Sequence, residues 1–79
     1  MALDTDRIDE VVLALLYLGL HHHFRAWKGF DWDAMSRLHE KGMIENPVNK
    51  AKSVEFTTEG LRRSRELLDK MFTSSPSAD

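Results

Sequence analysis

Cysteine is absent from the 79 residues. That removes disulfide staples, thiolate catalysis and Cys-type zinc or iron–sulfur sites together. It also argues against a secreted mini-scaffold, so a reducing cytoplasm is the expected setting. An excess of positive charge is missing as well, with 11 Lys and Arg set against 13 Asp and Glu, a net charge of −2. A nucleic-acid binder of this size often carries a clear basic surplus. Long apolar runs are lacking too. Val11 to Leu20 is the richest stretch, about half the length a membrane-spanning helix requires. The acidic segment before it is wrong for a secretory signal. No Ser–His–Asp arrangement, phosphate-cradling glycine loop or dinucleotide fingerprint is present. The four glycines read as helix stops, turns or a first-turn position. An enzyme is therefore not expected, and neither a cofactor nor a small-molecule substrate is implied.

Hydrophobic residues amount to 42% and charged ones to 30%, which suits one small globule burying roughly 60% of its unfolded surface. The acids are concentrated early. Asp4, Asp6, Asp9 and Glu10 face Arg7 alone in the first 24 residues, whereas residues 45–79 balance to zero.

Asp4 is placed to cap a first helix, with Leu3 and Ile8 as a hydrophobic staple and Asp6, Asp9 and Glu10 near the positive helix end. Ile8, Val11, Val12, Leu15 and Leu18 form one apolar stripe, and Leu13, Leu16 and Leu20 lie on the other side. A helix apolar nearly all round needs cover on both faces. The expectation is that Ile8 to Leu18 faces the core while Leu13, Leu16 and Leu20, with Trp27, form the interface of a homodimer.

Phe24 to Lys28 permits a short strand. Asp31 then caps a second helix over 32–41, stapled by Phe30 and Met35, with Trp32, Met35 and Leu38 as its apolar face. Gly42 fits the left-handed position that stops this helix, and Met43 the Schellman contact to Leu38. Met43-Ile44 and Lys52 to Phe56 read as a hairpin around a loop at 46–51, broken by Asn46-Pro47. Thr57 caps a last helix whose apolar face is Leu61, Ser64, Leu68 and Met71, widened by Leu67 and Phe72. The domain is expected to occupy residues 1–72, with residues 73–79 as a disordered tail.

The segment from Leu38 through Lys41-Gly42-Met43-Ile44, a hairpin, then Val54-Glu-Phe-Thr-Thr-Glu-Gly-Leu61 resembles the back half of winged helix-turn-helix domains. The fold implied is a small α+β winged-helix-like domain of order α-(short β)-α-β-β-α. Only residues 21–31 separate the first two helices, so the positioning helix of a full helix-turn-helix is short or missing. The whole chain also resembles a small bacterial family of unknown function, through its acidic-led first helix and the run Arg25-Ala-Trp-Lys-Gly-Phe-Asp-Trp-Asp33. The winged-helix resemblance implies non-catalytic macromolecular binding, possible DNA-associated regulation included. Arg37 and Lys41 on the second helix and Lys50 and Lys52 on the wing would then contact nucleic acid. The alternative is a homodimeric protein-interaction module without nucleic-acid binding.

Other residues have simpler readings. His21, His22 and His23 diverge on a helix, and with His39 they lack the ligand spacing of a metal site, so a polar helix-end segment is expected. Asp31 and Asp33 are explained by capping and the helix dipole. Phe30 and Trp32 are expected in the core. Trp27 is balanced between core and a stacking or partner surface.

Overall fold

The computed structural model describes residues 2–21, 24–49 and 51–73. Its elements run α1 (Thr5–Leu18), β1 (Leu20–His21), β2 (Arg25–Trp27), α2 (Trp32–Glu40), β3 (Ser53–Glu55) and α3 (Thr58–Phe72). The described residues thus form a small α+β unit of three helices and an antiparallel sheet ordered β1-β2-β3. His22, His23, Lys50 and residues 74–79 lie outside the described residues.

The helix ends follow from side-chain capping. Asp4 accepts from the Arg7 amide at 3.1 Å and Asp31 from the Ala34 amide at 3.1 Å, each satisfying an amide that has no helical partner. Gly42, at φ 77°, closes α2. The amides of Gly42 and Met43 donate to the carbonyls of His39 and Leu38, both at 3.0 Å, which is the paired bonding of a Schellman ending.

That ending is latched to the start of α3. The Thr57 hydroxyl accepts from the Gly60 amide at 2.9 Å and donates to the Gly42 carbonyl at 2.6 Å. The Thr57 amide donates to the Met43 carbonyl at 3.1 Å. Gly60 lies so close to this carbonyl that an added Cβ would stand 1.6 Å from its oxygen.

The sheet differs from the expected hairpin. Val54 pairs with Ala26 and Arg25 with Glu55, so the short strand after the first helix becomes the central strand. Leu20–His21 adds an edge on its far side. Met43-Ile44 contributes only the single bridge Ile44–Phe56. Ala26 and Val54, paired across the sheet, are fully buried, and a nearby strand with matching alternation outcompetes a two-residue limb soon ended by Asn46-Pro47.

The core joins α1, which packs on α3, α2 and β2, to the inner face of the sheet. Leu13 and Leu16 are buried in it together with Ala14, Met35, Leu38 and Leu67. This corrects the expected dimer face. Leu13 and Leu16 point inward and Leu20 packs partly buried against the core, while Ile8, Val11 and Leu15 are only half-buried and Leu18 is 70% exposed. An all-round apolar helix hides which side faces in, because both stripes satisfy the same period. Trp32 is also corrected: it is 50% exposed, since Ala34, Met35 and Leu38 already fill the inner sector of α2.

Candidate functional site

Asp9 is the least expected charged group. It stands on the buried side of α1, 1% exposed. The Arg37 guanidinium grips it through Nε at 3.0 and 2.8 Å and Nη2 at 2.8 Å. Lys41, one turn further along α2, donates to Asp9 Oδ2 at 2.9 Å and to Asp6 Oδ1 at 3.0 Å. Burial pushes the Asp9 carboxyl upward. The hydrogen bonds and charges of Arg37 and Lys41 outweigh that and hold it below its ordinary 3.8. The same bonds to Asp9 raise the pKa of Arg37 and of Lys41. A buried carboxylate held by a bidentate arginine and an ammonium is fully satisfied. Its chemistry is that of a clamp between α1 and α2.

Arg37 and Lys41, expected as nucleic-acid contacts, are both bonded to Asp9 in the structure. Their spacing of four does bring them to one side of α2, but that side faces α1. The signal was present in the sequence as an acid among Val12, Leu13 and Leu16 on the helical wheel. It was obscured because any acid in a first turn is also explained by the helix dipole.

Two cations of the sheet side are similarly engaged. Arg25 donates to Ser53 Oγ at 2.8 Å and its carbonyl at 3.2 Å, with Glu55 at 3.6 Å. Lys28 holds the 46–51 loop by donating to the Pro47 carbonyl at 2.7 Å and to Asn49 Oδ1 at 2.9 Å. Lys52 is exposed, and Lys50 lies outside the described residues.

The histidines that are described serve the backbone. His39 Nδ1 lies 3.0 Å from the Ile44 carbonyl and His21 Nδ1 3.0 Å from the Gly19 carbonyl. A carbonyl only accepts, so each Nδ1 carries the proton. His21 also stacks on Trp27 with ring centroids 4.2 Å apart. Trp27 is 57% exposed, and of the four proposed interface residues it alone is largely open to solvent. Among the described residues no group of three or more His, Asp or Glu side chains could hold a metal ion.

The outer face of α1 is apolar and only partly covered. Ile8, Val11, Leu15 and Leu18 recur at intervals of three, four and three, the a and d positions of a heptad seam. Leu15 and Leu18 share a groove with Leu68 and Phe72 of α3. Phe72 is 49% exposed. Arg7 and Lys70 border the middle of this surface and Arg65 its Leu18 end.

These features define a small α+β domain with an internal ion clamp and a partly open apolar helix face. No helix among the described residues is long and apolar enough to cross a membrane. The chain belongs to the family described as "Domain of unknown function (DUF6429)", which matches residues 4–74. It is also similar to "Uncharacterized protein y4hR" of Sinorhizobium fredii (strain NBRC 101917 / NGR234), with 59% identity over 73 residues, 92% of this chain and 99% of that protein. The expected membership of a family of unknown function is thereby shown. No solved structure matches the chain.

Proposed function

We propose that the chain is a non-enzymatic protein-interaction module, with the outer face of α1 as its contact surface. In this reading α2, the 46–51 loop and α3 form a winged-helix-like scaffold that holds α1 in place. The observation that carries it is the contrast between the two faces. The cations that nucleic acid would need on α2 are bound to Asp9, whereas the apolar Ile8–Leu18 seam is half-buried at Ile8, Val11 and Leu15 and open at Leu18. Exposed apolar surface rimmed by polar groups is the usual mark of a protein contact.

Photo-crosslinking tests this directly. A benzophenone amino acid at position 18 is compared in cells with one at position 48, since Leu18 and Val48 are similarly exposed, at 70% and 68%. The expected result is a discrete adduct from position 18 that protease destroys and nuclease spares. It should be absent from position 48 and lost when Leu15→Glu is added. Nuclease-sensitive adducts, or equal labelling from both positions, would overturn the reading.

A further inference from the structure

We infer that residues 46–49 form a cradle for a primary ammonium, and that the Lys28 ammonium filling it is the charge that straps this segment to the sheet. The inference is independent of the α1 contact surface. An ammonium has three donors and no acceptor. Lys28 Nζ donates to the Pro47 carbonyl at 2.7 Å, to Asn49 Oδ1 at 2.9 Å and to the Asn49 carbonyl at 3.3 Å, so donors and acceptors match in number. All three acceptors are neutral oxygens, the kind of ligand that replaces the water shell of a monovalent cation. Arg25, Arg37, Lys41, Arg62 and Arg63 are each bound instead to a carboxylate.

The sequence builds the two halves of this contact separately. The Lys28 amide donates to the Lys52 carbonyl at 3.1 Å, which extends the β2–β3 ladder by one residue and fixes the root of the side chain. On the other side, the two asparagines of Asn46-Pro-Val-Asn49 shape the cradle. Asn46 Oδ1 accepts from the Val48 amide at 2.9 Å, and Asn49 Nδ2 donates to the Asn46 carbonyl at 3.2 Å, the local bonding by which asparagine sets a turn. Among the described residues, every hydrogen bond from residues 46–49 to the chain outside the 46–51 loop ends on Lys28. Without the ammonium, three oxygens converge with no donor between them, and leaving them unsatisfied is costly. Turning them out to water draws the fully buried Pro47 side chain out with them. One positive charge therefore decides whether the segment lies closed or open.

Hydrogen exchange followed by NMR tests the cradle and the strap, first on the intact chain. The Lys28 ammonium protons should exchange with water at least about tenfold more slowly than those of the exposed Lys52, as a set of charge-assisted hydrogen bonds requires. Equal rates would overturn the cradle. In Lys28→Ala, the Val48 amide should exchange at least about tenfold faster than in the parent chain, while the Gly60 amide, held by Thr57, keeps its rate. Adding n-propylammonium, the fragment this substitution removes, should slow Val48 exchange back toward the parent value. Tetramethylammonium at the same concentration carries the charge without an N–H donor and should leave exchange fast. Equal rescue by both cations, or rescue by neither, would overturn the cradle. Unchanged Val48 exchange in Lys28→Ala would show that Asn46 and Asn49 hold the segment unaided, and the strap falls. Loss of Gly60 protection alongside Val48 would make Lys28 a support of the whole domain, which overturns the strap as well.

Discussion

Gly60 and Gly42 carry the same side chain for different reasons, and substitution separates them. At Gly42 the constraint is the backbone, φ 77°, with open space around the position of a Cβ. Gly42→Ala should cost about 1 kcal/mol, the strain of a side chain in the left-handed region. At Gly60 the constraint is the Met43 carbonyl, which an alanine methyl would overlap. Relieving that overlap moves the α2–α3 latch, so Gly60→Ala should cost about 2 kcal/mol or more. Urea denaturation of the two variants checks the order, and equal midpoints would show that the latch yields freely. Gly42 was legible from its neighbours, because Leu38, Gly42 and Met43 spell the ending locally. Gly60 was not, since the atom that forbids a side chain arrives from a distant segment. Asp9 makes the second prediction at this scale. Its carboxyl titrates lower in the fold than in the unfolded chain. The stability it supplies is complete above the unfolded value, about 4, and is lost as pH falls through the folded value. Asp9→Asn should therefore lower stability by about 3 kcal/mol at neutral pH, leaving Arg37 and Lys41 facing a neutral amide. It should also flatten the fall in stability on acidification. Parallel pH profiles for the variant and the parent chain would contradict that linkage.

At the scale of elements, α2 and α3 were readable to within a residue or two. Their caps, Asp31 and Thr57, and their single apolar faces leave little choice of orientation. On α1 the sequence located the helix and its cap, and placed Val12 and in part Ile8 against the core, but put Leu13 and Leu16 on the wrong face. Its inner sector contains Val12, Leu13 and Leu16 together with the charged Asp9, and its outer sector contains Ile8, Val11, Leu15 and Leu18, so apolarity alone favours the wrong side. The sheet was hard to read for another reason. Strands of two and three residues are too short for periodicity to register, and pairing partners are chosen by the tertiary fold. The facing is testable in α1 itself. Leu13→Ala and Leu16→Ala remove side chains from a closed core and should each cost about 2–4 kcal/mol. Leu18→Ala should change monomer stability by less than about 0.5 kcal/mol, as at other exposed positions. Thermal unfolding at low protein concentration, where association is negligible, makes the comparison. A more damaging Leu18→Ala would restore the original orientation.

At the scale of the whole molecule, many of the described charges pair with one another. The carboxylates of Asp9, Glu10, Glu55, Glu59 and Glu66 all face arginines, and Lys28 is bound to loop oxygens. This bears directly on the winged-helix expectation of nucleic-acid contact. Four free cations at Arg37, Lys41, Lys50 and Lys52 would release about four counterions and give a salt slope near −3.6. With Arg37 and Lys41 held by Asp9, Lys50 and Lys52 could release only about two, a slope near −1.8. Asp31 and Asp33, at the N-terminal end of α2, oppose even that approach to phosphate. Fluorescence anisotropy with a random duplex at low salt should accordingly show no saturable binding. The double variant Arg37→Ala/Lys41→Ala separates the two accounts further. If these residues contact phosphate, the variant keeps its fold and loses duplex binding. If they hold Asp9, it unfolds at lower denaturant, because a buried carboxylate is left without partners and must be protonated or hydrated. Its stability should then rise on mild acidification relative to the parent chain, since the unpaired Asp9 now titrates upward and neutralisation relieves it. Duplex binding that is salt-sensitive in the parent chain and abolished in a fully folded double variant would return these two cations to a nucleic-acid surface.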